Sequence, residues 1–163
     1  QYMMLMALGL DGFAHASEAL AGAAWGRRDR AQFRRWVVLT GYWSLLAALA
    51  FALVFGLWGN ALTALLTDIQ AVRAAAAALL PLVIALPLVA VWCFLFDGVY
   101  IGATAAGAMM VTMGLAFVVY LLLLQPLTAA WGLHGLWGAV LVFMAVRGLG
   151  QALWYPRLER KLA

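Results

Sequence analysis

Between Val37 and Trp58 the chain reads VVLTGYWSLLAALAFALVFGLW without one charged side chain, and between Ala74 and Phe96 it reads AAAAALLPLVIALPLVAVWCFLF, again without one. A hydrocarbon core of about 30 Å is crossed by about 20 apolar residues in a helix, and both runs reach that length. Lipid offers no partner to backbone N–H and C=O groups, so such a run closes its own hydrogen bonds as a helix. A further charge-free run, Gly98 to Val146, exceeds a single crossing and divides at WGLHGLWG, residues 131–138.

These runs predict an all-α integral membrane protein with about five transmembrane helices, near residues 1–24, 37–58, 76–101, 109–130 and 135–155, forming one unit over residues 1–163. Composition agrees. Hydrophobic residues make up 68% and charged residues 10% of the chain, against about 45–50% and about 25% in soluble domains. The first run is apolar but carries Asp11, His15 and Glu18, and it has neither the basic start nor the small-residue cleavage pattern of a signal peptide. Opening at Gln1 inside an apolar run, the chain is expected to be part of a longer protein. Its one cysteine, Cys93, makes no internal disulfide, and no His/Cys spacing of a metal site occurs.

Basic residues set the expected orientation. Arg27, Arg28, Arg30, Arg34 and Arg35 crowd the segment 25–36, read as a loop, and Arg157, Arg160 and Lys161 follow the last run. Five crossings place both segments on one side, and the positive-inside tendency makes that side cytoplasmic. The connection 59–73, on the other side, sets only Arg73 against Asp68. The formal charge of +4 is thus explained by topology, and no nucleic-acid partner is expected.

Helical periodicity collects the polar residues into stripes. Asp11, His15 and Glu18 stand at i, i+4 and i+7; Cys93, Asp97, Tyr100 and Thr104 stand at i, i+4, i+7 and i+11; Thr40 aligns with Ser44, and Arg147 with Gln151 and Trp154. Such stripes are expected to face other helices or a wet cavity. An Asp at a helix centre costs about 2.5–3.5 kcal/mol to insert, so carboxylates at this depth need a compensating role. Protonation is one remedy, which suits a proton- or sodium-coupled transporter; a permanent pair of Asp97 with Arg147 is another. His15 reads either as a link between Asp11 and Glu18 or as a proton relay, Glu18 as a coupling acid or an interfacial partner of the arginines. Arg147 reads as a snorkelling side chain or a binding residue. Pro81 and Pro87 favour a bend in the third run, and Gly98 and Gly102 permit a helix to approach closely. Met3, Met4, Met6, Met109, Met110 and Met113, with Trp92, suit either an adaptable pocket or lipid contact.

Three blocks, LDGFAHASEALAGAAWGRRDR at 10–30, FDGVYIGAT at 96–104 and LHGLWGA at 133–139, resemble the second half of a transporter of the MATE (multidrug and toxin extrusion) family, in its DinF-like branch. The resemblance implies twelve helices in two six-helix lobes, with this chain supplying most of the second lobe. It implies alternating-access export of hydrophobic or cationic organic compounds in exchange for H+ or Na+, with no other cofactor and no enzymatic activity. The partners implied are the lipid bilayer, the exported compounds and a first lobe of the same protein; the location implied is a bacterial inner membrane. The acid of FDGVYIGA matches a cation-site position of some family members, which makes Asp97 the first coupling candidate, with Asp11 and Glu18 behind it. Tyr100, His15, Cys93, Thr104 and Arg147 are the expected cavity residues. One departure stands out: where the family usually carries basic residues after FDGVYIGAT, this chain has AAGAMM, residues 105–110. A lipid or lipid-linked oligosaccharide flippase and a non-transporting scaffold remain as alternatives.

Overall fold

The computed structural model describes residues 1–162, so the last position of the expected 1–163 unit lies outside the described residues. The described residues are helical throughout, apart from short connections: α1 (Tyr2–Gly26), α2 (Arg30–Leu66), α3 (Gln70–Gly102), α4 (Ala106–Glu159) and a terminal 3-10 turn, Arg160–Leu162. Three helices are long and apolar enough to cross a membrane, namely α2, α3 and the helix that begins at Ala106. The chain is an all-helical, multi-pass membrane protein.

Two expected loops prove to be helix. Of segment 25–36 only residues 27–29 leave the helical path, because two capping devices meet there. At the end of α1 the N–H of Asp29 bonds back to the carbonyl of Ala24 and that of Arg28 to Trp25, with Arg28 in the left-handed region at φ 54°. The Asp29 side chain then accepts from the N–H of Gln32 at 2.9 Å, capping the start of α2. Arg30, Arg34 and Arg35 therefore ride on the first turns of α2. Likewise 59–73 is helical except for residues 67–69, and Arg73 folds back to bond the carbonyls of Thr67 and Ala64 at 2.8 and 2.9 Å, occupying orphan acceptors at the end of α2.

WGLHGLWG is where α4 breaks. Gly132 takes φ 54°, ψ −126°, open to glycine alone at low cost, and divides α4 into arms of residues 106–131 and 133–159. The arms run back along each other: Tyr120 meets Phe143 edge-on at 5.9 Å, and Gly150 faces Thr112. Gly135 lies against the carbonyl of Leu127, where a Cβ has no room. His134 Nε2 lies 3.1 Å from the Ala78 carbonyl, tying the hairpin to α3.

α3 is the centre of the bundle and packs on α1, α2 and α4. Its glycines decide how near α1 comes: a Cβ on Gly98 would strike the carbonyl of Ala14, and one on Gly102 would strike Glu18 and Gly22. The proline-bearing stretch is still one helix, with Pro87 buried and Pro81 exposed. Two apolar clusters fill the interior, one around Met6, Leu10, Phe55 and Leu86, the other around Phe33, Val37, Val99 and Leu158. Leu57, Leu65, Leu122 and Leu153 point outward, as a lipid-facing surface requires.

Candidate functional site

α3 and the second arm of α4 meet at Asp97. Arg147 Nη2 donates to Asp97 Oδ2 at 2.5 Å, and Gln151 Nε2 donates to Oδ1 at 2.8 Å. Arg147 and Gln151 are one helical turn apart, so a single face of the arm grips both oxygens. The pair is largely enclosed, the side chains being 13% exposed for Arg147 and 17% for Asp97. One turn further along α3, the Tyr100 hydroxyl donates to the Gln151 carbonyl at 2.8 Å; one turn earlier, Cys93 Sγ donates to the Met144 carbonyl at 2.9 Å. Cys93, Asp97 and Tyr100 thus join α3 to α4 by a ladder of polar contacts.

The glycine contacts give the depth of this ladder. Gly98 is level with Ala14, and twelve residues separate Ala14 from the end of α1 at Gly26 (26 minus 14). At a rise of 1.5 Å per residue that is about 18 Å, roughly half the thickness of a bilayer core. Asp97 therefore sits near mid-depth when the basic turn at 27–29 marks the membrane surface. A charge there is tolerated because it is paired: removing one member of a buried pair leaves an uncompensated charge and costs about 3–5 kcal/mol.

The other expected site residues are dispersed. Thr104 is not on the Asp97 face, because α3 ends at Gly102 and Thr104 turns left-handed at φ 52°, exposed in the connection to α4. The N–H groups of Thr104 and Ala105 bond to Ile101 and Tyr100, repeating the cap at the end of α1. Asp11 and His15 are exposed on the surface of this chain rather than turned inward, and Glu18 is half-buried. His15 Nδ1 lies 3.6 Å from Glu18 and has no bond to Asp11. The inner face of α1 belongs instead to Met6, Leu10, Ser17, Ala21 and Ala24. Asp11 is still near enough for its charge to act on Asp97. Tyr100 is wholly buried and Cys93 nearly so, so both serve the helix contact and line no open cavity. Arg147 turns to Asp97 and does not snorkel.

Gln151 is the site residue that a search for charges overlooks, although it stands one turn from Arg147. Ser17 is another, buried on α1 with its hydroxyl 3.4 Å from that of Thr40. Trp92, half-exposed, borders an apolar cleft of about 300 Å3 between α3 and α4, with Phe96, Leu149 and Ala152.

Comparison with known proteins sets this arrangement in a family. Residues 1–127 match the model of the family described as MatE. The chain belongs to the MatE family. Among curated relatives, the DNA damage-inducible protein F of Escherichia coli (strain K12) is 42% identical over 156 residues, covering 91% of this chain and 32% of the relative. The chain thus spans about a third of the length of the relative it matches. No solved structure matches it significantly. The MatE match takes in α1 to α3 and the first arm of α4; Arg147 and Gln151 lie beyond it, within the second arm.

Proposed function

We propose that this chain forms most of the second lobe of a MATE-type secondary antiporter, its two α4 arms and α1 to α3 supplying five membrane spans. The whole protein exports hydrophobic or cationic organic compounds in exchange for H+ or Na+ and has no enzymatic activity. It resides in a bacterial inner membrane, with the basic 27–29 turn and the C-terminal segment on the cytoplasmic side, against the lipid bilayer and a first lobe of the same protein.

The observation that carries this reading is Asp97: one carboxylate near mid-depth, held through both oxygens by two side chains of a neighbouring helix arm. Arg147 acts as a tethered cation. A coupling ion must take over the carboxylate as the guanidinium leaves, so ion binding and a shift of α4 against α3 become one event. Asp11, whose charge acts on Asp97, adds to the attraction for that ion. Glu18 and His15 form a second polar group on α1.

The test is Asp97→Asn in the full-length protein in liposomes. Coupled efflux is expected to vanish while membrane insertion is unchanged; efflux at the wild-type rate would remove Asp97 from the mechanism. The ion pair also favours a second reading, a membrane scaffold in which Asp97 and Arg147 never separate. Substrate-dependent proton or sodium release from liposomes separates the two. A flippase has less support, since Arg147, the cation it would offer to a phosphate headgroup, is engaged by Asp97.

A further inference from the structure

Three buried polar atoms have no hydrogen-bond partner among the described residues: Arg147 Nε, Gln151 Oε1 and the Tyr155 hydroxyl. They belong to one row. Residues 147, 151 and 155 recur every four positions along the second arm of α4, and the next position in that row is Glu159, whose carboxylate pairs with Arg30 at 3.1 Å beside the basic turn. From Arg147 to Glu159 is twelve residues (159 minus 147), about 18 Å of helix, the same distance that α1 covers from the level of Asp97 to the basic turn.

Each orphaned atom is fixed where it is. A carboxylate only accepts, so the Gln151 amide must present its nitrogen to Asp97 and turn its oxygen away. Gln151 is wholly buried, and that oxygen has no route to bulk solvent. Arg147 spends Nη2 on Asp97, leaving Nε directed elsewhere. The Tyr155 ring is held between Phe33, stacked at 6.1 Å, and Phe96 at 6.0 Å, while Glu159, Arg34 and Arg30 lie near enough for their charges to act on its hydroxyl.

An unsatisfied buried polar group costs about 1–3 kcal/mol, and three in one row would be replaced by leucines at no loss of packing unless something bonds them. Side chains four apart on a helix have Cβ atoms about 5–6 Å apart. Two hydrogen bonds of about 2.8 Å to an intervening oxygen cover that gap. Water also needs two or more polar partners at a buried position, and successive members of the row provide them.

We infer that Arg147, Gln151 and Tyr155 bind a file of ordered water molecules that hydrates Asp97 from the basic end of the bundle. The guanidinium stays charged and the amide neither gives nor takes a proton near neutral pH, so the water, and not the side chains, is the mobile element. In coupling, which rests on the transporter reading above, this file is the route by which a proton or a cation shedding its hydration shell reaches Asp97 from that side.

Radiolytic hydroxyl-radical footprinting of the full-length protein in lipid nanodiscs, with a scavenger removing radicals made in bulk water, tests the inference. Bound water then generates the remaining label. Tyr155 is expected to be oxidised about tenfold faster than Tyr100, whose hydroxyl is already bonded to Gln151. Gln151→Leu should bring the Tyr155 label down to the Tyr100 level and leave Tyr120 unchanged. Equal, slow labelling of Tyr155 and Tyr100 in the wild-type protein overturns the file without recourse to any variant. Label on Tyr155 in a protein that moves no ion in liposomes sinks the transporter reading and leaves the bound water standing.

Discussion

Gly98 rests directly on the backbone carbonyl of Ala14, so that α1 and α3 touch main chain to main chain beside the Asp97 pair. A helix crossing this close is set by the missing side chain, as in small-residue contacts elsewhere in membranes. Gly98→Ala should therefore lower stability by about 1–3 kcal/mol, the range for overpacking a filled contact. Thermal unfolding in detergent measures it. Gly12→Ala, on the same helix as Ala14 but with open space around it, should leave the midpoint unchanged, and an equal loss at both positions would refute the close-contact explanation.

The ion pair makes a different prediction, one of sign. Arg147→Met or Asp97→Asn alone strands a partner and should destabilise by about 3–5 kcal/mol, whereas the double variant should recover most of that loss. Denaturant unfolding of the four proteins closes the cycle; additive losses would mean that the two side chains act independently.

Gly132 carries the reversal of α4 at φ 54°, ψ −126°. Gly132→Ala should cost about 1–3 kcal/mol through backbone strain alone, since open space surrounds the position. Accelerated proteolysis at 131–135 in the variant, with no change in the wild-type protein, is the expected readout.

Cys93 is 1% exposed and bonded to Met144. Its thiol should react with maleimide at least about a hundredfold more slowly in the folded protein than after denaturation, a ratio set by the population of opened states. Rapid labelling in the folded protein would place Cys93 on an accessible surface and contradict its role in the α3–α4 contact.

Much of the fold was legible because lipid leaves the backbone little choice. Charge-free runs located α2, α3 and both arms of α4, and the glycines of WGLHGLWG marked the break. The loops at 25–36 and 59–73 misled because charge signals the membrane edge, not the helix end. Arg30 to Arg35 lie outside the apolar run yet inside a helix that Asp29 starts. The site was legible in part. Cys93, Asp97 and Tyr100 fell on one face by period alone, and Arg147 and Gln151 on another, but nothing in their spacing said that the two faces meet. Thr104 was lost because a one-residue reversal of hand, invisible to periodicity, ends α3 before it. For Asp11, His15 and Glu18 the period placed them together, while Leu10 and Ser17, immediately beside them, took the packed side.

Both oxygens of Asp97 are held from one helix, by side chains a single turn apart. No motion of that arm can release one oxygen and keep the other for long: sliding or rolling loosens both, and the next arrangement in which a donor faces each oxygen lies a whole turn away, about 5.4 Å along the axis. The contact between α3 and the second arm of α4 therefore works as a detent, stiff within its notch and without resting places between notches, so that any rearrangement of this bundle across that surface is a step and not a drift.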